Sequence, residues 1–175
     1  DRDPAIRLWA IREARKQLTW RTLGEMLDVP VKDRSAAVRL QAEHAYAEHL
    51  DAGSAPLLRR FLMDSAASLR SIGRYYLAQR EHCDFPAFYR DQLGGPAVKQ
   101  VATAIAGLSE AGGAADADLV LPFIQHANAK IATAAVRGLA RLDPERLITE
   151  IMGCSLKGTP NVSREAVRTH SLNTP

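Results

Sequence analysis

The sequence predicts an all-α protein, specifically a right-handed α-solenoid of about five helix pairs plus one unpaired N-terminal helix. Three observations support this fold class. Alanine accounts for 29 of the 175 residues, beside only 10 aromatic residues, a composition that favours close-packed helices over a sandwich or barrel. An apolar pattern repeats about every 31 residues, and Gly- or Pro-containing breaks separate the periodic stretches.

The repeat is defined by an aliphatic residue that is followed four positions later by alanine or glycine. The six pairs are Ile6/Ala10, Val38/Ala42, Leu69/Gly73, Val98/Ala102, Ile131/Ala135 and Val162/Ala166. Residues four apart share one face of a helix, and a small residue lets a neighbouring helix approach closely. The sequence therefore predicts that the four middle pairs, from Val38/Ala42 to Ile131/Ala135, are almost wholly buried.

The helices follow in order along the chain. The unpaired helix covers about residues 4–18, and a final helix covers about 161–172. Each remaining pair opens with a shorter apolar helix, at about 19–28, 54–63, 84–93, 117–126 and 144–153. Breaks such as Gly94-Gly95-Pro96 and Asp143-Pro144 separate them, since glycine stops helices and proline restarts them at the first turn. Pro122 is expected to kink the helix that contains it.

A pair of helices of about 31 residues, whose second helix reads aliphatic–Arg–x–x–Ala, resembles the HEAT-repeat family. The short bacterial HEAT-like repeats of the phycobilisome-lyase type fit best, and they cover nearly all of residues 1–175 as a single domain. The resemblance implies that an aspartate before the second helix bonds the base after the anchor, as Asp33 and Arg39 or Asp64 and Arg70 are spaced to do. Because the chain begins at Asp1 without Met, we expect it to be a fragment of a longer protein.

Charge and cysteine content limit the possible functions. The net charge is +3, a weak footprint for a dedicated nucleic-acid binder, although 18 of the 23 basic residues are arginine. No apolar run approaches the length of about 18 residues that a membrane span needs. Cys83 and Cys154 are far apart and form no C-x-x-C motif, which suits a reducing, cytoplasmic location.

Three stretches have the residue types of a chemical site but not the required spacing. His44 and His49 are five apart, whereas zinc ligands on one helix face are four apart. His82-Cys83-Asp84 places a base, a thiol and an acid on adjacent residues, whose side chains usually point apart. The lysine of the segment 153–159 precedes its last glycine, unlike that of a phosphate loop. We therefore predict no catalytic residue, metal or cofactor, and no enzymatic activity.

The remaining hypothesis is a surface on the second helices that binds another protein, possibly an acidic one. Six positions after five of the six anchors lie Arg12, His44, Tyr75, Arg137 and Arg168, and these side chains are expected to edge one continuous surface. The candidate partner-binding residues are Arg70, Arg74, Tyr75, Lys99, Arg137 and Arg168. The alternatives are a nucleic-acid-binding domain like the alkylpurine DNA glycosylases, which are built on HEAT-like repeats, and a bilin lyase-like protein.

Overall fold

The computed structural model describes residues 2–49 and 55–155, and within these ranges it contains ten α-helices and no strand. The predicted all-α class is therefore confirmed. The helices are α1 (Pro4–Gln17), α2 (Trp20–Leu27), α3 (Ala36–His49), α4 (Ala55–Leu62), α5 (Ala67–Ala78), α6 (Phe85–Gln92), α7 (Val98–Ala111), α8 (Ala117–Val120), α9 (Ala129–Leu142) and α10 (Pro144–Ser155). The helix expected at 161–172 lies outside the described residues.

Capping residues explain where several helices begin. Asp3 accepts a hydrogen bond from the Ala5 amide at 2.8 Å, and Pro4 occupies the first position of α1. Asp84 caps α6 by accepting from the Ala87 amide at 2.9 Å, and Asn128 caps α9 in the same way. These side chains satisfy amides that have no partner inside the helix, so local sequence alone defines these helix starts.

The chain forms two compact units, residues Asp1–Cys83 and Asp84–Pro175. In the first unit α3 packs between α1 and α5, while α2 contacts α1 and α3, and α4 packs on α5. Val38 and Leu69 are fully buried there, as predicted. Gly73 lies at a close approach, since a Cβ on it would lie 3.2 Å from both Phe61 Cβ and Glu43 Oε1.

In the second unit α7 packs against both α6 and α9, and α9 also contacts α8 and α10. Ile131 and Ala135 of α9 are buried, as predicted. Pro122 does disturb its helix: α8 ends at Val120, and the chain continues as a 3-10 helix over Leu121–Gln125. This follows because proline lacks the amide that a continuing α-helix would use.

Two of the predicted core positions are wrong. Val98 is 37% exposed and Ala102 is only half-buried, whereas Ala104 of the same helix is fully buried. Ala104 lies 31 residues after Gly73 and 31 before Ala135, so the buried small residues are evenly spaced. The matching anchor position, 31 residues after Leu69, is Gln100. Because Gln100 is polar, the aliphatic residue nearest to this position is Val98, two residues too early.

Candidate interaction surface

The first unit presents a band of polar and aromatic side chains across three adjacent helices, which we call the α1/α3/α5 face. Its members are Trp9 and Arg12 on α1, Gln41 and His44 on α3, and Tyr75 and Tyr76 on α5. The opposite side of α3 is turned toward α2, because Tyr46 lies two residues after His44 and hence about 200° around the helix. The Tyr46 hydroxyl donates to the Gly24 carbonyl oxygen at 3.0 Å and so fixes α3 on α2.

Side-chain contacts join the three helices along this face. Arg12 Nε donates to Gln41 Oε1 at 3.5 Å, which links α1 to α3. His44 Nδ1 lies 3.0 Å from the Tyr76 hydroxyl, which links α3 to α5, and the two rings meet edge to face. The guanidinium of Arg80 lies 5.7 Å from the centre of the Tyr76 ring and donates to the Ala47 carbonyl oxygen. The face is therefore braced by contacts between neighbouring helices.

Two aromatic rings on the α1/α3/α5 face project into solvent. Trp9 is 63% exposed and Tyr75 is 62% exposed. An aromatic side chain carries a large apolar area, so burying each of these rings against a partner would stabilise a complex substantially. Tyr75 also packs edge to face on Tyr76, with ring centres 5.3 Å apart, so its ring is supported from one side.

A surface hollow of about 620 Å³ lies next to Trp9. Its lining is rich in charged groups: Arg12, Glu13, Arg15 and Lys16 on α1, beside Gln41 of α3. Arg15 forms an ion pair with Glu48, and Lys16 pairs with Glu13 at 2.8 Å. Arg12, in contrast, is bonded to the neutral amide of Gln41. The hollow therefore combines an indole ring with a guanidinium whose charge is available to an anionic group.

Arginine–aspartate clamps hold the helices behind this face. Arg7 of α1 donates from Nε and Nη2 to the two carboxylate oxygens of Asp33, at 2.6 and 2.9 Å. Arg39 of α3 binds Asp64 in the same two-point manner, at 2.6 and 2.7 Å. Asp33 and Asp64 also accept from the Ser35 and Ala66 amides, at 2.7 and 2.8 Å. Each aspartate thus joins the start of one helix to the preceding long helix.

These clamps differ in part from the expected pairing. The Asp33 carboxylate is bound by Arg7, and the hydrogen bond from Arg7 is the main reason that the pKa of Asp33 is lowered. Arg39 contacts Asp33 through the backbone instead, with Nη1 donating to the Asp33 carbonyl oxygen at 2.7 Å. Arg70 donates to the Asp64 carbonyl oxygen at the same distance. The expected pairs Arg39–Asp33 and Arg70–Asp64 are therefore bonded through the aspartate backbone, while the Asp33 carboxylate binds Arg7 and the Asp64 carboxylate binds Arg39.

The six predicted partner-binding residues occupy very different environments. Tyr75 belongs to the α1/α3/α5 face, and Arg74 beside it is half-buried. Arg70 is only 4% exposed. In the second unit Lys99 and Arg137 are exposed, and Arg137 lines a shallow hollow of about 370 Å³ with Lys130 and Thr133. Arg168 lies outside the described residues.

The repeat pattern predicts neither the place of Trp9 beside the hollow nor the burial of Glu43. Glu43 is 0% exposed, and neither carboxyl oxygen has a hydrogen-bond partner. A buried polar group in this state destabilises a fold by about 1–3 kcal/mol. The repeat gives little warning of this burial, because the position five after the anchor is Glu43 after Val38, Arg74 after Leu69 and Val136 after Ile131.

The described residues show no arrangement suited to metal binding, since no three histidine, cysteine or acidic side chains come together there. His44 contacts Tyr76, and Glu48 pairs with Arg15. Asp84 of the His82-Cys83-Asp84 segment caps a helix. In the same part of the chain, no helix has both the length and the apolar character that crossing a bilayer requires.

Comparison with known proteins adds no family assignment. The chain matches no protein-family model, and no curated protein matches its sequence.

Proposed function

We propose that this chain is a non-catalytic interaction module, a right-handed solenoid of HEAT-like helix pairs that binds a partner protein on the surface of its second helices. The observation that supports this proposal is the α1/α3/α5 face, where two exposed aromatic rings lie beside polar groups that are hydrogen-bonded between three adjacent helices. Solenoids of helix pairs commonly bind partners on such extended surfaces. Aromatic and arginine side chains supply most of the binding energy at protein interfaces.

The chemistry of the face favours one kind of ligand, an extended peptide that carries an acidic side chain next to an apolar one. The apolar side chain would pack on Trp9 or Tyr75, and the acidic group would meet Arg12. Arg12 is the residue expected to bind the acidic group, because the neighbouring Arg15 and Lys16 are already paired with Glu48 and Glu13. The hollow beside Trp9, at about 620 Å³, has room for such a side chain.

The test uses a 12-residue peptide selected from a random library on the wild-type chain and labelled with fluorescein. Trp9→Ala and Tyr75→Ala should each weaken its binding about thirtyfold, because a buried aromatic anchor contributes about 2 kcal/mol or more. Arg12→Glu should weaken binding similarly and favour a different consensus. The melting temperature of each variant should stay within about two degrees, since surface substitutions cost little.

Two variants of the same unit serve as matched controls. Val29→Ala removes an apolar side chain that is 78% exposed and lies after α2, and Arg21→Glu reverses an exposed charge on α2. Neither should alter the affinity. Equal losses in the control and test variants would contradict the proposal. Tight binding of a single-stranded oligonucleotide, with affinity falling steeply with the logarithm of salt concentration, would support the nucleic-acid alternative instead.

A further inference from the structure

Within the described parts of the chain, Glu43 is the one acidic side chain that is fully buried and has no hydrogen bond. It lies at the contact between α3 and α5, because a Cβ on Gly73 would come within 3.2 Å of its Oε1 atom. Phe61 Cβ and the Leu58 carbonyl oxygen of α4 approach the same point, at 3.2 and 3.4 Å. The carboxyl group is thus enclosed by three helices.

At the repeat position of Glu43, α1, α7 and α9 carry buried aliphatic side chains, whereas α5 carries the half-buried Arg74. Val136 stands five residues after Ile131 on α9, and Ile105 stands 31 residues before Val136 on α7; both are buried. Ile105 Cγ2 also lies 3.2 Å from the Cβ position of Gly138 on the next long helix. A carboxyl group has therefore taken the place of an apolar contact between long helices.

Neither carboxyl oxygen of Glu43 accepts a hydrogen bond, and Arg39, one turn before it on α3, is bound to Asp64. On α1, Arg7 is bound to Asp33 and Arg15 to Glu48, while Arg12 is exposed. The remaining groups are Arg21 and Glu25 on α2, Lys32, and Arg59 and Arg60 on α4, which are all exposed, together with Arg70, Arg74 and Tyr76 on α5 and Asp64 before it. Asp64 is a like charge, and it disfavours ionisation of Glu43 further.

We propose that Glu43 is a proton-operated switch for the α1/α3/α5 face, whose carboxylic acid form keeps α3 packed on α5 and whose carboxylate form loosens that contact. The next residue in the chain, His44, makes the contact with Tyr76 that joins α3 to α5 on the face. Separation of the two helices would therefore break the surface. This inference rests on the proposed function in one respect only, namely that the separation of α3 from α5 would weaken partner binding.

The sign of the pH effect follows from the burial. Burial, and after it the charge of Asp64, raises the pKa of Glu43 from its ordinary value of 4.5 to about 9. Between these values the folded state holds a proton that the unfolded chain releases. The stabilising effect of the acid form is complete below about pH 4.5 and is lost as the pH rises to about 9, and the opening equilibrium shifts about tenfold per pH unit over this range.

Amide hydrogen exchange in the full chain, at pH 6 to 9, tests the switch without any ligand. Glu43→Gln keeps the shape of the acid form but cannot ionise, and Glu43→Ile supplies the residue type found at Ile105. The ratio of wild-type to variant exchange rates in α3 and α5 should rise toward tenfold per pH unit, while the ratio in α7 and α9 stays near one. Glu25→Gln, which removes an exposed carboxylate from α2, should behave as the wild type.

The switch would be overturned if the ratio of wild-type to variant exchange rates in α3 and α5 did not change with pH, whether the variant is Glu43→Gln or Glu43→Ile. Carbon-13 NMR of the glutamate side chains gives a second measurement that does not depend on variant stability. A carboxyl signal that is absent from Glu43→Gln should remain in the acid form at pH 7, and ionisation of every glutamate below pH 6 would also overturn the proposal. Either outcome leaves peptide binding to the face untouched, so the two proposals fail separately.

Discussion

At the scale of single residues, Gly107 shows how closely two helices of the second unit approach. A Cβ on Gly107 would lie 2.1 Å from Cε1 of Tyr89, and Tyr89 is a fully buried ring. The buried ring of Tyr89 has little room to move. We therefore expect Gly107→Ala to destabilise the protein by about 1–3 kcal/mol, despite the better helix propensity of alanine.

Gly24 provides the matched substitution, because it also lies within a helix but has no atom within 4 Å of its Cβ position. Gly24→Ala should stabilise the protein by up to about 1 kcal/mol, since alanine restricts the unfolded chain and favours a helix. Urea unfolding of the two variants measures both effects. Equal changes in the same direction would show that the close approach at Gly107 is absent.

Arg39 makes the most extensive clamp among those described in the first unit. It binds both carboxylate oxygens of Asp64 and also donates to the Asp33 carbonyl oxygen. Lysine cannot reproduce this planar fork, and the groups involved are mostly buried. We expect Arg39→Lys to lower the free energy of unfolding by about 1–3 kcal/mol.

Arg59→Lys is the control for this prediction. Arg59 also contacts a carboxylate with two nitrogens, at 3.1 Å from each oxygen of Glu81, but its side chain is 56% exposed. An exposed ion pair contributes between about zero and 1 kcal/mol, so the variant should unfold almost like the wild type. If Arg39→Lys proved equally mild in chemical denaturation, the clamps would not hold the helices of this unit together.

At the scale of elements, α7 carries the clearest disagreement with the sequence pattern. The buried small residue of the repeat on α7 is Ala104, which is fully buried, and not the half-buried Ala102. Ala104→Leu should therefore destabilise the protein by about 1–3 kcal/mol, whereas Ala102→Leu should change stability by less than about 0.5 kcal/mol. Thermal unfolding of the pair decides the register. A larger loss from Ala102→Leu would restore the original anchor at Val98.

The physical basis of each helix explains how well it could be predicted. The starts of α6 and α9 follow from Asp84, Pro86 and Asn128, which act within one turn and are visible in the sequence. The register of α7 depends on Gln100, a polar residue at the position of an aliphatic anchor. The aliphatic pattern therefore predicts the anchor at Val98, two residues too early. Glu43 was equally hidden, because a glutamate on a helix ordinarily indicates the exposed side.

At the scale of the whole molecule, the candidate site combines residues that the repeat predicts with residues that it does not. Arg12, His44 and Tyr75 share the position six after the anchor, and they meet on one face because α1, α3 and α5 lie side by side in the first unit. Trp9 and Tyr76 do not occupy that repeat position. Trp9 belongs to the face because it lines the hollow, and Tyr76 because it contacts His44. Neighbours across helices determine these contacts, and a single helix pattern cannot supply them.

The most direct test of the proposed surface uses Trp9 as its own reporter. The chain has two tryptophans, so Trp20→Phe leaves Trp9 as the single source of tryptophan emission. On titration with the selected peptide, synthesised without its label and without tryptophan, the emission of Trp9 should move to shorter wavelength and its quenching by acrylamide should fall. Both changes should reach their midpoint at the dissociation constant that calorimetry gives. Saturating binding that leaves the emission and the quenching of Trp9 unchanged would contradict the proposed surface.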